Sequence, residues 1–160
     1  MIQGLSDQNA LTQATISKTY DIGGKKITFE SGKLALLADG AVVIRDEDGN
    51  YLLTTAGVKQ EVNMNAGFFP LSVEFQEKYY AAGKIGGNRF MKREGRPSDT
   101  AILNSRLIDR PIRPMFPKGT INDIQIISTI LSSSGASDYG FYGITGASLA
   151  LQLAGVTEFE

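Results

Sequence analysis

Apolar and polar positions divide this chain into short segments of two different periods. Residues 26–30, 41–45 and 51–56 are rich in β-branched and aromatic side chains and read as short strands. Between the last two, the run Asp46-Glu47-Asp48-Gly49-Asn50 supplies a turn, because Asp-Gly tolerates the positive φ angles of tight hairpins. Leu71, Val73 and Phe75 alternate with Ser72, Glu74 and Gln76, the period-2 pattern of a half-buried strand, with Pro70 fitting its start. Residues 124–131 are almost continuously apolar, as expected of a central strand covered on both faces. Two helices complete the pattern. Ser98 is placed as an N-cap with Asp99 in the first turn, and Pro111 disfavours helical geometry at Arg110, which bounds a helix over 99–109 with Ile102, Leu103 and Leu107 towards the core. Residues 143–154, small side chains and leucines, read as a buried helix with Gly155 as its C-terminal cap. Residues 1–16 show neither period and read as a loosely held extension; 59–67, 83–87 and 132–142 read as loops.

Beyond that extension, residues 17–160 make one domain by default, and 160 residues at 42% hydrophobic content suffice for one core. The composition excludes several chemistries. Without cysteine or histidine there is no disulfide, thiolate nucleophile, imidazole base or zinc site of the usual ligands. No run approaches the roughly 20 apolar residues that span a bilayer, and the start lacks a basic-then-apolar layout, so a soluble, cytoplasmic protein without membrane contact is expected. Asp46, Glu47 and Asp48 have no second ligand cluster at loop spacing, which favours a solvated turn over a metal loop.

Charge changes the picture only when placed along the chain. Residues 84–118 hold nine of the sixteen bases (Lys84, Arg89, Lys92, Arg93, Arg96, Arg106, Arg110, Arg113 and Lys118) against three acids (Glu94, Asp99 and Asp109). That is a local balance of +6, while the seven bases and fourteen acids elsewhere give −7. Runs of charge are usually solvated faces, but three acids cannot neutralise nine bases, and the excess favours a polyanion. Six of the nine are arginine, which grips phosphate bidentately and stays charged at any physiological pH.

Context separates two sets. In Arg89, Phe90, Lys92, Arg93 and Arg96, an aromatic ring interleaved with cations suits a single nucleic-acid strand, stacking bases while the charges follow the backbone. Arg106 and Arg110 lie four apart on the predicted helix, and Arg113 sits between Pro111 and Pro114, so three guanidinium groups can converge on a phosphate at a reaction centre. Asp109 is spaced for a local ion pair with Arg106 or Arg110 rather than for acid–base work. No complete catalytic set is visible.

Two longer runs carry a family resemblance: 68–85, FFPLSVEFQEKYYAAGKI, and 90–117, FMKREGRPSDTAILNSRLIDRPIRPMFP. With ITFESGKLA near the start and ITGASLALQLAG near the finish, the chain from about Tyr20 onward resembles the first core of the bacterial polynucleotide phosphorylase family. The resemblance implies an α+β, ribonuclease PH-like fold, a mixed sheet with packed helices, and a processive 3′-to-5′ phosphorolytic exoribonuclease. Such an enzyme degrades single-stranded RNA with inorganic phosphate and Mg2+ to nucleoside diphosphates, works as a homotrimer, and can join RNA-degradation complexes. Phe90, Met91, Lys92 and Arg93 match the family's RNA-channel loop, with Met91 where a second aromatic is common, and Arg96 follows it. Arg106 and Arg110, with Arg113 a weaker match, fall where the first core lends arginines to a composite active site. The phosphate-binding serines and metal-binding aspartates belong to a second core, so the resemblance implies a C-terminally incomplete first core, inactive alone. Two rival expectations stay open: a non-catalytic module for a small anion or acidic partner, and a structural ring subunit of the same fold.

Overall fold

The structure is a computed structural model that describes residues 15–62, 68–85, 96–135 and 138–156. Six strands form one sheet: β1 (Ile16–Ile22), β2 (Lys25–Ser31), β3 (Gly40–Asp46), β4 (Tyr51–Val62), β5 (Leu71–Gln76) and β6 (Asn122–Ser132). Their order is β1-β2-β3-β4-β6-β5. Neighbours are antiparallel except β5 and β6, which run parallel. A parallel pair needs a crossover, and this one carries helix α1 (Asp99–Ile112). Helix α2 (Tyr139–Leu153) follows β6. The expected mixed sheet with packed helices is therefore present.

The core lies where alternate side chains of the central strands meet the helices. Val42 and Ile44 of β3, Leu52 and Ala56 of β4, Ile124, Ile126 and Ile130 of β6, and Leu71 and Phe75 of β5 are buried together with Ile108, Ile112, Ala147, Ala150 and Leu151. Thr54 and Ser128 share this face, and their paired hydroxyls, 3.1 Å apart, satisfy each other in the interior. Helix α2 can approach closely because it presents glycine. A Cβ on Gly146 would stand 2.6 Å from Thr54 Oγ1, and one on Gly143 would strike the Ile108 side chain of α1. Through that contact α2 seats α1.

Four boundaries differ from the sequence pattern, each for a physical reason. Strand β1 carries Ile16, Tyr20 and Ile22 on one face, yet all seven of its residues are exposed; ladder pairing with β2, the Thr19–Thr28 hydroxyl pair and the Gly23-Gly24 turn define it. Strand β4 runs six residues past Ala56, into the expected loop, because β6 is long enough to pair with it as far as Asn122 and Val62. Helix α2 begins at Tyr139 rather than 143: Asp138 caps it by accepting from Gly140 N–H, and Tyr139 and Tyr142 are buried. Helix α1 continues through Pro111 to Ile112. The proline forfeits one N–H near the helix end, while burial of Ile112 and the Asp109–Arg113 pair hold the last turn.

The orientation of α1 corrects another expectation. Its buried face is Ala101, Ile108 and Ile112, whereas Ile102, Leu103 and Leu107 are 47%, 66% and 47% exposed. Ser105, on the same face, ties the helix directly to the sheet. Its Oγ accepts from Phe75 N–H at 2.9 Å and donates to Ala101 O at 3.0 Å. That tie, with Ile108 and Ile112 seated in the core, turns Ile102, Leu103 and Leu107 away from the sheet.

The acidic turn is likewise more than a solvated loop. Asp46 is buried; one carboxylate oxygen accepts from Asn50 N–H (2.9 Å), the other from Asn50 Nδ2 (2.8 Å) and the Tyr142 hydroxyl (2.9 Å). Asn50 Oδ1 accepts from Ser134 N–H, Ser134 Oγ and the Tyr139 hydroxyl. One buried network thus joins the β3–β4 turn, the segment after β6 and the first turn of α2. Burial alone would raise the Asp46 pKa, but the Asn50 and Tyr142 bonds outweigh it and hold the carboxyl below its ordinary 3.8. Burial, then the hydrogen bond to Asp46, pushes the Tyr142 phenol up to about 12.

Candidate nucleic-acid interface

Beside the exposed edge of β5 the chain makes a groove. After Gln76 ends the strand, Glu77 and Lys78 lead into a 3-10 turn at Tyr79–Ala82, closed by Gly83 at φ 64°, where a side chain would be strained. Ala81 is buried in that turn, and its carbonyl accepts from Ser133 N–H at 2.9 Å, which pins the turn to the end of β6. The chain is described again from Arg96, and Ser98 caps α1 by accepting from Ala101 N–H at 3.0 Å.

The space between β5, this turn and the first half of α1 is a groove of about 910 Å³. Its walls include Val73, Phe75, Tyr79 and Ile102, the cations Lys78, Lys84, Arg96 and Arg106, and the acids Glu74 and Glu77. Both acids accept hydrogen bonds: Ser98 Oγ donates to Glu77 Oε2 at 2.6 Å and Gln76 Nε2 to Glu74 Oε2 at 3.4 Å. Cations prevail, and Arg96, Arg106 and Lys84 are exposed to solvent. Two exposed guanidinium groups in an open groove beside an accessible tyrosine ring suit an anion that also carries a flat apolar surface.

The residues singled out from sequence separate here. Arg96 and Arg106, assigned to different sets, line the same groove. Arg110 is exposed in the last turn of α1, where a cation also complements the helix dipole. Arg113 is held elsewhere: Nη2 donates to Asp109 Oδ1 (2.7 Å) and Leu71 O (3.1 Å), Nη1 to Phe69 O (3.2 Å) and Nε to Asp109 Oδ2 (3.1 Å). Its guanidinium also lies 5.7 Å from the centroid of the Phe69 ring. The ion pair expected between Asp109 and Arg106 or Arg110 is thus made with Arg113, because at i,i+4 Arg113 also finds two carbonyls and a ring at the start of β5. Phe90, Met91, Lys92 and Arg93 lie outside the described residues.

Sequence reasoning missed Glu77 and Tyr79 as groove residues. Their signal was the Gln-Glu-Lys-Tyr-Tyr run at the strand end, visible only once β5 is known to flank α1. Among the described residues no group of three or more His, Cys, Asp or Glu is arranged to hold a metal ion. Among the same residues no helix is long and apolar enough to cross a membrane.

The fold recurs among solved structures. Similar solved structures include a chain of the Archaeoglobus fulgidus exosome with RNA bound to the active site (TM-score 0.53, 13% identity, 87% of this chain and 50% of that one). Another is rice (Oryza sativa) Rrp46 (TM-score 0.52, 13% identity, 88% of this chain and 56% of that one). At such identity the likeness establishes the fold, a ribonuclease PH-like α+β core. Residues 23–157 match the model of the 3′ exoribonuclease family, domain 1, and the chain belongs to that family. It is 49% identical over 139 residues to the polyribonucleotide nucleotidyltransferase of Thermomicrobium roseum, a stretch that covers 87% of this chain and 17% of that protein.

Proposed function

We propose that this chain is the RNA-gripping first core of a phosphorolytic 3′-to-5′ exoribonuclease of the polyribonucleotide nucleotidyltransferase kind. The observation that carries the reading is the convergence of Arg96 and Arg106 on one open, mainly cationic groove beside the Tyr79 ring. Membership of the 3′ exoribonuclease family and 49% identity to a polyribonucleotide nucleotidyltransferase support RNA as the groove's ligand. In this reading the guanidinium groups neutralise RNA phosphates and the ring offers a stacking surface. Phe90, Met91, Lys92 and Arg93 extend the grip along the strand. Arg110, exposed one turn beyond Arg106, faces the phosphate end of a site whose serines and metal ligands come from a second core. Arg113 sets the pitch of α1 and leaves phosphate to its neighbours. Inorganic phosphate is the co-substrate, a homotrimer is the working form, the cytoplasm is the place of action, and the chain alone does not turn over RNA.

Binding of fluorescein-labelled single-stranded RNAs of increasing length, with phosphate and citrate as competitors, tests this reading. Affinity should rise with length across the first several nucleotides and resist millimolar citrate. Equal affinity for long RNA and for free phosphate or citrate would establish a small-anion module instead.

A further inference from the structure

We propose that Glu77 is a positioning residue for RNA binding: its bond to the Ser98 hydroxyl clasps the start of α1 to the end of β5 and so sets where Arg96 and Arg106 stand. The inference rests on the RNA-binding reading above. Glu77 directly follows β5, a strand fixed in register by its parallel ladder to β6. Ser98 is the N-cap of α1, two residues after Arg96 and eight before Arg106. Its hydroxyl accepts from Ala101 N–H at 3.0 Å and donates to Glu77 Oε2 at 2.6 Å. A single oxygen therefore satisfies the helix end and joins it to the strand. A charge-assisted O–H···O⁻ bond of this length is among the stronger side-chain links.

The twenty residues between these two partners include Lys78, Lys84, Arg89, Lys92, Arg93 and Arg96, six of the chain's sixteen bases. The clasp therefore joins the end of β5 to the start of α1, on either side of the basic run. Further along α1, Ser105 to Phe75 and Arg113 to Phe69 and Leu71 already tie the helix to β5. Near Arg96, Glu77 to Ser98 ties the end of β5 to the helix.

Charge and geometry predict opposite outcomes at this site, which makes the proposal testable. Glu77 is an acid in a cationic groove, so by charge alone its removal should strengthen RNA binding. By the clasp, its removal should weaken binding. Glu77→Gln and Glu77→Ala remove the same charge, but glutamine keeps a carbonyl oxygen able to accept from Ser98. Single-stranded RNA binding is measured by anisotropy at a temperature where circular dichroism shows all variants folded. Glu77→Ala should bind roughly fivefold more weakly than Glu77→Gln, the loss expected for one net hydrogen bond. Ser98→Thr, which retains a hydroxyl, should bind more tightly than Ser98→Ala. If the wild-type chain binds RNA while Glu77→Ala equals or exceeds Glu77→Gln, Glu77 acts only as a local charge and the clasp is refuted. If the wild type shows no salt-dependent RNA binding, the functional reading fails first and takes this inference with it.

Discussion

Asn50→Ala is the substitution through which the buried turn network can be measured. Asn50 is 1% exposed, and its side chain both donates to Asp46 and accepts from Ser134 N–H, Ser134 Oγ and the Tyr139 hydroxyl. Truncation leaves those three donors without their acceptor and strips Asp46 Oδ2 of one donor while the Tyr142 hydroxyl remains. An orphaned buried polar group costs about 1–3 kcal/mol, but water entering the vacated space re-satisfies some of them, so about 3 kcal/mol is expected in total. For a domain of this size that lowers the thermal midpoint by roughly 6–12 °C. Urea unfolding followed by circular dichroism gives the free energy, and a double-mutant cycle with Tyr139→Phe gives the coupling. Because Tyr139 donates to the deleted oxygen, the second substitution should cost much less in the Asn50→Ala background. A loss under about 1 kcal/mol, or full additivity with Tyr139→Phe, would show that apolar packing alone seats α2. The arginines on α1 would then not depend on this turn.

Further outcomes follow from the same contacts. Gly146→Ala puts a Cβ 2.6 Å from Thr54 Oγ1 and 3.3 Å from the Ile44 side chain, so it should destabilise by about 2 kcal/mol in urea unfolding, against a few tenths for an exposed site. Arg113→Lys loses the fork shared between Asp109 and the Phe69 and Leu71 carbonyls. Discounted for its 42% exposure, the change should cost about 1 kcal/mol of stability while leaving the salt dependence of RNA binding as in the wild type. Because Asp46 ionises below its ordinary 3.8 in the fold, the unfolded chain takes up that proton first. Its stabilising effect is complete above that value and drains away as the pH falls through it. Asp46→Asn should therefore flatten the acid limb of a stability–pH profile measured from pH 6 to pH 3.

Much of the fold was legible because its strands and helices obey simple periods. The strand at 71–76 follows from alternation, and Ser98 and Gly155 mark the helix ends where they occur; the apolar run of β6 also forms a strand, but only its Ile124, Ile126, Ser128 and Ile130 face is buried, so it is not covered on both faces as expected. Illegible features came from partners remote in sequence. Strand β1 is held by ladder bonds to β2, and the alternation of Ile16, Tyr20 and Ile22 with Ser17, Thr19 and Asp21 buries nothing. On α1, Ile102, Leu103 and Leu107 drew the prediction inward, whereas Ser105's bond to Phe75 N–H and the burial of Ala101, Ile108 and Ile112 turn another face to the sheet. At the candidate site, arginine density pointed to Arg96 and Arg106, but spacing alone cannot separate a free guanidinium from a committed one. Arg106, Arg110 and Arg113 look equivalent along the helix, and only the position of the Phe69 and Leu71 carbonyls distinguishes the third.

The central claim, that Arg96 and Arg106 meet RNA phosphates in one groove, is tested most directly by salt titration of single-stranded RNA binding to the wild type, Arg96→Ala, Arg106→Ala and the double variant. Each phosphate contact contributes about 0.7 to the slope of log K against log salt. The account predicts a slope shallower by about 0.7 in each single variant and about 1.4 in the double. An unchanged slope in the double variant would contradict it.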